Sequence, residues 1–376
     1  MQRKVMVLVR VASVQLLSQS AAFSSSLFIP ILAKQLSAGD FEVGAIVSLN
    51  GAAGFLSQYL FGREADVRGL RFFLLGGLLL SAIAAPVQIL ARTPAQLAAA
   101  RFLVGFAGGI YPPALLAYIS ETGRRMGKTV SWGSLGWGVG TLVAGALASI
   151  WQAFVASAIF FTISFAIALT LPTVPERRLI VPLFPAAVIK RNLPVYSALL
   201  IRHTGASAVW ATMPIHMSLL GAMPFEIGAL YALNAFTQFI SMYHLDRFSS
   251  SRTFAVGLLL SSLSFFLFPL ATEVRLLVAP WLIVGIAWSC LYIGGLRFVT
   301  ETSAEVATST GLVGSTISLS GILGPVLGGA VSGAAGNYTA MMFLASAMTL
   351  AAMALFVYQL ARNRISRQEA LAPMNS

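Results

Sequence analysis

Acidic residues are scarce in this chain: twelve Asp and Glu stand among 376 residues, and all charged residues together make up 10%. Hydrophobic residues account for 57%, and the mean hydropathy is +0.84. A soluble domain of this length could not bury so much apolar surface and still present a polar exterior. Because lipid accepts an apolar exterior, the composition predicts a multi-pass membrane protein.

Several chemical features are missing as well. Cys290 is the single cysteine, which excludes an intrachain disulfide, and its apolar surroundings favour a packing role. No G-x-x-x-x-G-K-[ST] phosphate loop occurs, which argues against an ATP-driven pump. Three scattered histidines provide neither a metal cluster nor a nucleophile–base pair, so we expect no enzyme activity, no metal and no cofactor.

What the chain does contain is a series of apolar segments. Breaking the sequence at charges, prolines and turn residues gives twelve segments close to the length of about 20 residues that a bilayer helix needs. These segments are 7–33, 42–61, 72–92, 95–119, 130–149, 152–171, 193–220, 225–243, 253–271, 276–298, 309–333 and 338–361. We therefore predict an all-α integral membrane protein with twelve transmembrane helices.

Lys and Arg are distributed unevenly over the predicted loops. Seventeen fall on the side that carries both termini, whereas three, Lys34, Arg92 and Arg275, fall on the opposite side. Short loops rich in Lys and Arg remain in the cytoplasm. We therefore expect a cell-membrane protein with both termini in the cytoplasm. The net charge of +12 then reflects topology, and no nucleic-acid partner is expected.

Two parts of the chain repeat each other. The 19 residues that start at Phe41 match those that start at Phe225 at nine positions, a shift of 184, and helix 4 repeats as helix 10 at a shift of 180. A shift of six helices leaves both copies in the same orientation, which is the parallel repeat of six-plus-six transporters. We predict an N-terminal bundle (1–171), a cytoplasmic connection (172–192) and a C-terminal bundle with a short tail (193–376).

The predicted loop between helices 2 and 3, GREADVRGLR (62–71), is unusually charged for this chain. It fits the pattern G-x-x-x-D-x-x-G-x-R through Gly62, Asp66, Gly69 and Arg71, and so resembles the signature loop of the major facilitator superfamily. With the twelve-helix duplication, the resemblance covers the whole chain. It implies a secondary transporter that works by alternating access, in which this loop holds the cytoplasmic side shut.

Particular contacts are expected within this gate. The carboxylate of Asp66 should lie at a helix N-terminus, and Arg68 or Arg71 should pair with Glu121 at the end of helix 4. The second half carries only a degenerate copy of the loop around Asp246. The alternative is that the loop is basic merely because it lies in the cytoplasm.

Two further stretches resemble patterns of the drug/proton antiporter group. Helix 4 contains L-x-x-x-R-x-x-x-G, in which Arg101 either faces a cavity or extends to the membrane surface. Helix 11 contains the G-P-x-x-G-G pattern that this group carries in helix 5, whereas helix 5 has Thr141 in place of the proline. We expect close packing between the halves at these small residues. They are Gly136, Gly140, Gly145, Gly324, Pro325, Gly328 and Gly329.

Candidate pathway residues lie on helices 1 and 7. Arg202 and His203 are the deepest charge in the predicted spans, with Trp210 farther along, and they either handle substrate or protons or form a structural pair. Gln15 and Gln19 recur on one side of helix 1. They either line a wet pathway or bond neighbouring helices.

The distribution of acids bears on the substrate. No Asp or Glu falls in the middle third of any predicted span, so the pathway should be positive or neutral. This favours a small anionic or neutral amphipathic solute, with protons as a candidate coupling ion. The antiporter-like patterns favour an exporter; the alternatives are an importer or uniporter of an organic anion, and a transporter-like receptor or lipid scramblase. We expect a monomer in the lipid bilayer.

Overall fold

The computed structural model describes residues 2–26, 29–38, 40–122, 126–147, 149–174 and 179–371, and their regular structure is helical, as predicted. Eight of the described helices are long and apolar enough to cross a membrane. The α-helices are α1 (Gln2–Ser24), α2 (Ile29–Gln35), α3 (Asp40–Arg68), α4 (Leu70–Val87), α5 (Pro94–Glu121), α6 (Met126–Ala146), α7 (Ile150–Leu169), α8 (Ala186–Leu219), α9 (Pro224–His244), α10 (Ser250–Leu267), α11 (Val278–Thr302), α12 (Val306–Ala335) and α13 (Thr339–Leu371).

Some of the basic loop residues used to predict the orientation fall outside this description. Arg124, Arg125, Arg177 and Arg178 lie outside the described residues. The same holds for the side chains of Arg3, Lys4, Lys34, Arg364 and Arg367.

Helix boundaries differ from the predicted segments at several places, of which three affect the organisation of the chain. The first segment, 7–33, is divided into α1 and α2, and the hydroxyls of Ser24 and Ser25 bond to carbonyls three residues earlier, as serines do where they compete with the helical ladder. The α8 helix begins at Ala186 rather than at residue 193. The fifth and sixth segments are separated by residues 147–149, where Ser149 caps α7 by accepting the N–H of Trp151 at 3.3 Å.

The helices form two bundles. Helices α1–α7 pack mainly against one another, as do α8–α13, and we call these bundles the N-half and the C-half. Their packing repeats at a shift of 180. A Cβ at Gly77 would lie 2.6 Å from the backbone N of Tyr111, and one at Gly257 would lie 2.7 Å from the backbone N of Leu291. Glycine therefore permits the same close helix approach in both halves.

The halves meet along two seams, α3 with α12 and α6 with α9. In the first seam, Gln58 donates to the Ser318 hydroxyl (3.2 Å) and Ser315 donates to the Phe55 carbonyl (3.1 Å). In the second, the Lys128 ammonium lies 4.6 Å from the centre of the Tyr243 ring. Both seams run to the end of the molecule that carries loop 62–71, which we call the gate side. The structure is therefore closed at its gate side.

Candidate functional site

Asp66, in the last turn of α3, reaches across the first seam. Its Oδ1 accepts the N–H of Ala307 (3.1 Å), and its Oδ2 accepts the N–H and the hydroxyl of Thr308 (2.6 Å each). Because α12 begins at Val306, a carboxylate of the N-half caps the N-terminus of a C-half helix. Burial raises the pKa of Asp66 to about 6, although the bonds from Thr308 and Ala307 lower it, so the carboxylate remains mostly ionised at neutral pH.

Asp246 makes the reciprocal contact across the second seam. Its two carboxylate oxygens accept the N–H groups of Gly127 (2.8 Å) and Lys128 (3.0 Å), in the first turn of α6. The degenerate copy of the signature loop, predicted around Asp246, therefore keeps its central residue in the corresponding contact. The other signature positions were lost, but the aspartate and the helix end that it caps were both kept, 180 residues from their counterparts.

Glycine is needed at each of the two signature positions, Gly62 and Gly69, for a different structural reason. A Cβ at Gly62 would lie 2.8 Å from the carbonyl oxygen of Ala307, so this position must be glycine for α12 to approach α3. Gly69 separates α3 from α4 with φ 113°, a conformation that favours glycine. The signature spacing therefore encodes one close approach and one tight turn.

The loop arginines do not bind Glu121, which corrects the expected pairing. Arg68 forms an ion pair with Glu64 at 2.6 Å. Arg71 donates to the carbonyls of Leu171 (2.8 Å) and Leu169 (2.9 Å). Leu169 ends α7 and Leu171 lies two residues beyond it. Carbonyls at a helix C-terminus lack partners within the helix and attract a guanidinium. Glu121 stays exposed at the end of α5.

The small residues of the antiporter-like patterns pack within each half, not between the halves as expected. A Cβ at Gly140 of α6 would lie 2.9 Å from the Cα of Ser20 in α1, and Gly136 packs on the same helix. A Cβ at Gly328 of α12 would lie 2.9 Å from the carbonyl oxygen of Ala208 in α8. The remaining residues of this set behave as follows: Gly324 also packs on α8, Pro325 lies inside α12 and is partly buried, and Gly145 and Gly329 are exposed.

Gln15 and Gln19 lie where α1 contacts α6. A Cβ at Gly133 would lie 3.3 Å from the Cγ of Gln19 and 3.7 Å from the Nε2 of Gln15. Gln15 is buried, whereas Gln19 is partly exposed. Of the two, Gln19 is therefore the one that a solute could reach in this conformation.

Arg101 is buried inside the N-half. Its side chain is 4% exposed and donates to Gln88 (3.1 Å) and Ser26 (3.4 Å). The carbonyl of the same residue accepts the amide of Asn50 at 2.9 Å. Because these polar groups bind the guanidinium within the bundle, Arg101 neither faces an open cavity nor extends to the membrane surface here.

Arg202 is held inside the C-half. Its side chain is 1% exposed, its Nε donates to the Ser261 hydroxyl (3.0 Å), and its guanidinium lies 5.4 Å from the ring centres of both Phe265 and Trp288. Hydrogen bonds and aromatic faces can hold a cation in this way. Arg202 is therefore not directly accessible to a solute in this conformation.

His203 and its aromatic neighbours are more open. The His203 ring lies 4.9 Å from that of Trp288, which stacks on Tyr292 at 5.4 Å, and all three residues are partly exposed. Trp288 and Tyr292 of α11 pack against a cluster of buried residues that both halves contribute to, and this cluster includes Tyr111 of α5. This stack therefore extends from the C-half to the place where the two halves face each other.

Trp210 belongs to a different aromatic cluster. Its ring lies 5.3 Å from Trp281, 6.1 Å from Phe265 and 6.0 Å from Phe268. Trp281 and both phenylalanines are fully buried. Trp210 therefore packs against the core of the C-half, and the aromatic residues nearer the boundary between the halves are Trp288 and Tyr292.

Comparison with known proteins identifies the family. The sequence profile described as "Major Facilitator Superfamily" matches residues 11–200 and again residues 195–373. The chain belongs to the major facilitator superfamily. Its fold is similar to that of the human organic anion transporter MFSD10 (TETRAN), with a TM-score of 0.77, 18% identity, and coverage of 93% of this chain and 99% of that one. No curated protein sequence matches this chain.

Membership of the major facilitator superfamily supports a secondary transporter of a small molecule across a membrane, rather than an enzyme. Among the described residues, no group of three His, Cys, Asp or Glu side chains could hold a metal ion. Asp246, Tyr111, Trp288 and Tyr292 are not among the site residues predicted from the sequence. A shift of 180 from Asp66 would have found Asp246, whereas nothing in the local sequence distinguishes the three aromatic residues from core residues.

Proposed function

We propose that this superfamily member exports small organic anions by alternating access, and that Asp66 and Asp246 are the two latches of its cytoplasmic gate. The observation that carries this proposal is the reciprocity of the caps, because each half supplies a carboxylate to a helix N-terminus of the other half. Such a contact joins the halves at the gate side without a covalent link. It can therefore break when the halves rock apart, as rigid bundles, around a central site.

Charge at the centre supports an anionic substrate. The groups around Arg202 are hydroxyl, imidazole and aromatic, and they include no carboxylate among the described residues. An uncompensated guanidinium near the centre of a membrane protein favours an incoming negative charge. The similar fold belongs to a protein described as an organic anion transporter, which agrees with this substrate class.

Transport assays test the substrate class. The purified protein would be reconstituted in liposomes, and uptake from a mixture of organic anions and organic cations would be measured by mass spectrometry. We expect protein-dependent flux of anions, with cations at the level of protein-free liposomes. Flux confined to cations would overturn the substrate class, and no protein-dependent flux of any solute would overturn transport itself.

Orientation and direction rest on sequence patterns. The seventeen-to-three asymmetry of basic residues supports a cytoplasmic gate side and cytoplasmic termini, and the antiporter-like patterns support export with protons as a candidate coupling ion. In a Cys290→Ala background, an impermeant thiol reagent added to intact cells should label Asn337→Cys and spare Ser249→Cys, two positions that are both exposed. The reverse labelling pattern would place the gate side outside the cell and would overturn both the proposed orientation and export.

A further inference from the structure

The contact between Arg202 and His203 determines where the histidine proton lies. A guanidinium nitrogen of Arg202 is 3.2 Å from the Nδ1 of His203. Arginine carries only donors, so this contact is a hydrogen bond in which Nδ1 is the acceptor. A neutral imidazole has a single N–H, so the proton must then be on Nε2.

The surroundings keep both side chains in this arrangement. Arg202 is 1% exposed and is also held by the Ser261 hydroxyl at 3.0 Å, so its donor direction is fixed. The His203 ring lies against Trp288 at 4.9 Å with an interplanar angle of 31°. No described residue forms a hydrogen bond with Nε2 of His203, and the residue is partly exposed. The Nε2–H group therefore remains available to another molecule.

The position of His203 indicates what its Nε2–H group could bind. The His203 ring lies against Trp288, which stacks on Tyr292, and Tyr292 packs against the buried cluster that includes Tyr111 of the other half. A donor at this place has a buried guanidinium behind it, whose positive potential strengthens binding of a negatively charged acceptor.

We propose that Arg202 positions His203 as a permanent Nε2–H donor that binds the anionic group of the substrate, for example a carboxylate, and that His203 does not carry protons. The inference rests on the proposed function for its substrate, but the tautomer of His203 is a property of the protein alone. Arg202 is a positioning residue in this scheme, and His203 is the residue that touches the substrate.

That His203 does not carry protons follows from the groups that face Arg202 and His203. A second proton on His203 would have to bind Nδ1, where it would point at an N–H of Arg202. The other groups packed around the pair are Trp288 and Tyr292 of α11 and Ser261 and Phe265 of α10, which include no acid. No described partner therefore compensates a doubly protonated His203.

Nuclear magnetic resonance tests the tautomer without any transport measurement. The protein would be labelled with ¹⁵N-histidine in lipid, and the His203 signals would be assigned by difference from His203→Gln. We expect one neutral Nε2–H form from about pH 5 to 8, a range in which an ordinary histidine changes charge. Arg202→Lys keeps a donor and should keep this tautomer, whereas Arg202→Met should give mixed tautomers and a protonated form. A wild-type His203 that carries its proton on Nδ1, or that titrates in this range, would overturn the inference.

A pair of amide substitutions tests the donor role. The Gln side chain places an N–H donor near the position of Nε2, whereas Asn reaches only to the position of Nδ1. We expect anion flux from the same solute mixture to be about tenfold or more lower in His203→Asn than in His203→Gln, with both variants matched for melting temperature and monodispersity. Equal flux in the two variants would reject the donor role. If the wild type shows the Nε2–H form but moves no anion, the proposed function fails while the tautomer assignment stands.

Discussion

The two latches have the same geometry but different surroundings. Asp66 is 6% exposed and accepts three hydrogen bonds, one of them from the Thr308 hydroxyl, whereas Asp246 is less buried and accepts two bonds from backbone N–H groups. Lys128 occupies the position equivalent to Thr308, 180 residues earlier, and its ammonium contacts Tyr243 instead of the carboxylate. Both halves therefore carry the cap, but Asp66 accepts one more hydrogen bond than Asp246.

This difference explains why one copy is visible in the sequence and the other is not. Around Asp66, glycines at 62 and 69 are required by a close approach and a left-handed turn. Around Asp246, Arg297 of α11 donates instead to the carbonyl oxygens of Asp246 (3.1 Å) and Phe248 (2.7 Å). The second latch is therefore supported by a residue far away in sequence, which a local pattern cannot record.

The largest expected effect is that of Asp66→Asn. The substitution removes a charged acceptor of three hydrogen bonds, each worth roughly 1.5–3 kcal/mol when charged, and turns an amide NH₂ toward the helix N–H groups. We expect a folded protein whose transport falls by about tenfold or more. The loss is measured as flux into proteoliposomes that contain equal amounts of wild-type and variant protein.

Glu121→Gln is the matched control for this experiment. It removes a carboxylate on the same side that stays exposed, so transport should stay near the wild-type rate. Equal losses in the two variants would indicate a general electrostatic effect rather than a latch.

Asp246→Asn should have a smaller effect, because its carboxylate accepts two bonds and is less buried. We expect a loss of about threefold under the same conditions. An effect as large as that of Asp66→Asn would show that the two latches are equivalent despite their different surroundings.

Substitutions at the equivalent positions Thr308 and Lys128 should change the stability of the closed gate in opposite directions. Thr308→Val removes one hydrogen bond and should open the gate. Lys128→Thr offers Asp246 a hydroxyl and should close the gate when it is compared in a Tyr243→Leu background, where the Lys128–Tyr243 contact is already absent. Each effect should be roughly 1 kcal/mol. The reporter is Ser315→Cys in a Cys290→Ala background, because Ser315 lies in the first seam and is 2% exposed. Maleimide labelling should become faster with Thr308→Val and slower with Lys128→Thr; shifts in the same direction would contradict the comparison.

The smallest expected effect is a dependence on pH. Burial raises the pKa of Asp66 to about 6 in the closed form, and we expect it to fall toward its ordinary 3.8 when the gate opens and water reaches the carboxylate. The closed form therefore binds a proton more tightly, and this stabilisation is present below pH 4 and lost as the pH rises through about 6. Labelling at Ser315→Cys should slow when the gate-side pH falls from about 7 to 5, relative to a cysteine at exposed Ser249. An identical pH response in Asp66→Asn would assign the effect to another group.

Part of the site could be predicted from the sequence because it depends on local chemistry. A charged, glycine-containing loop between two apolar segments indicated both the gate and the family, and Asp66 was expected at a helix N-terminus. The partners of the loop arginines could not be predicted, because Glu121 and the carbonyls of Leu169 and Leu171 are all plausible acceptors. Only the position of α7 beside the loop selects between them.

The sequence by itself determined the number of spans, the all-α class and the twofold repeat, because the hydrophobic effect and the length of a bilayer helix act on each segment independently of its neighbours. The tertiary structure alone decided which groups meet. It placed Arg101 and Arg202 inside the bundles, paired each aspartate with a helix of the other half, and set His203 against Trp288. These contacts join residues of different helices, and the rotation of each helix about its axis follows from packing, which no single segment specifies.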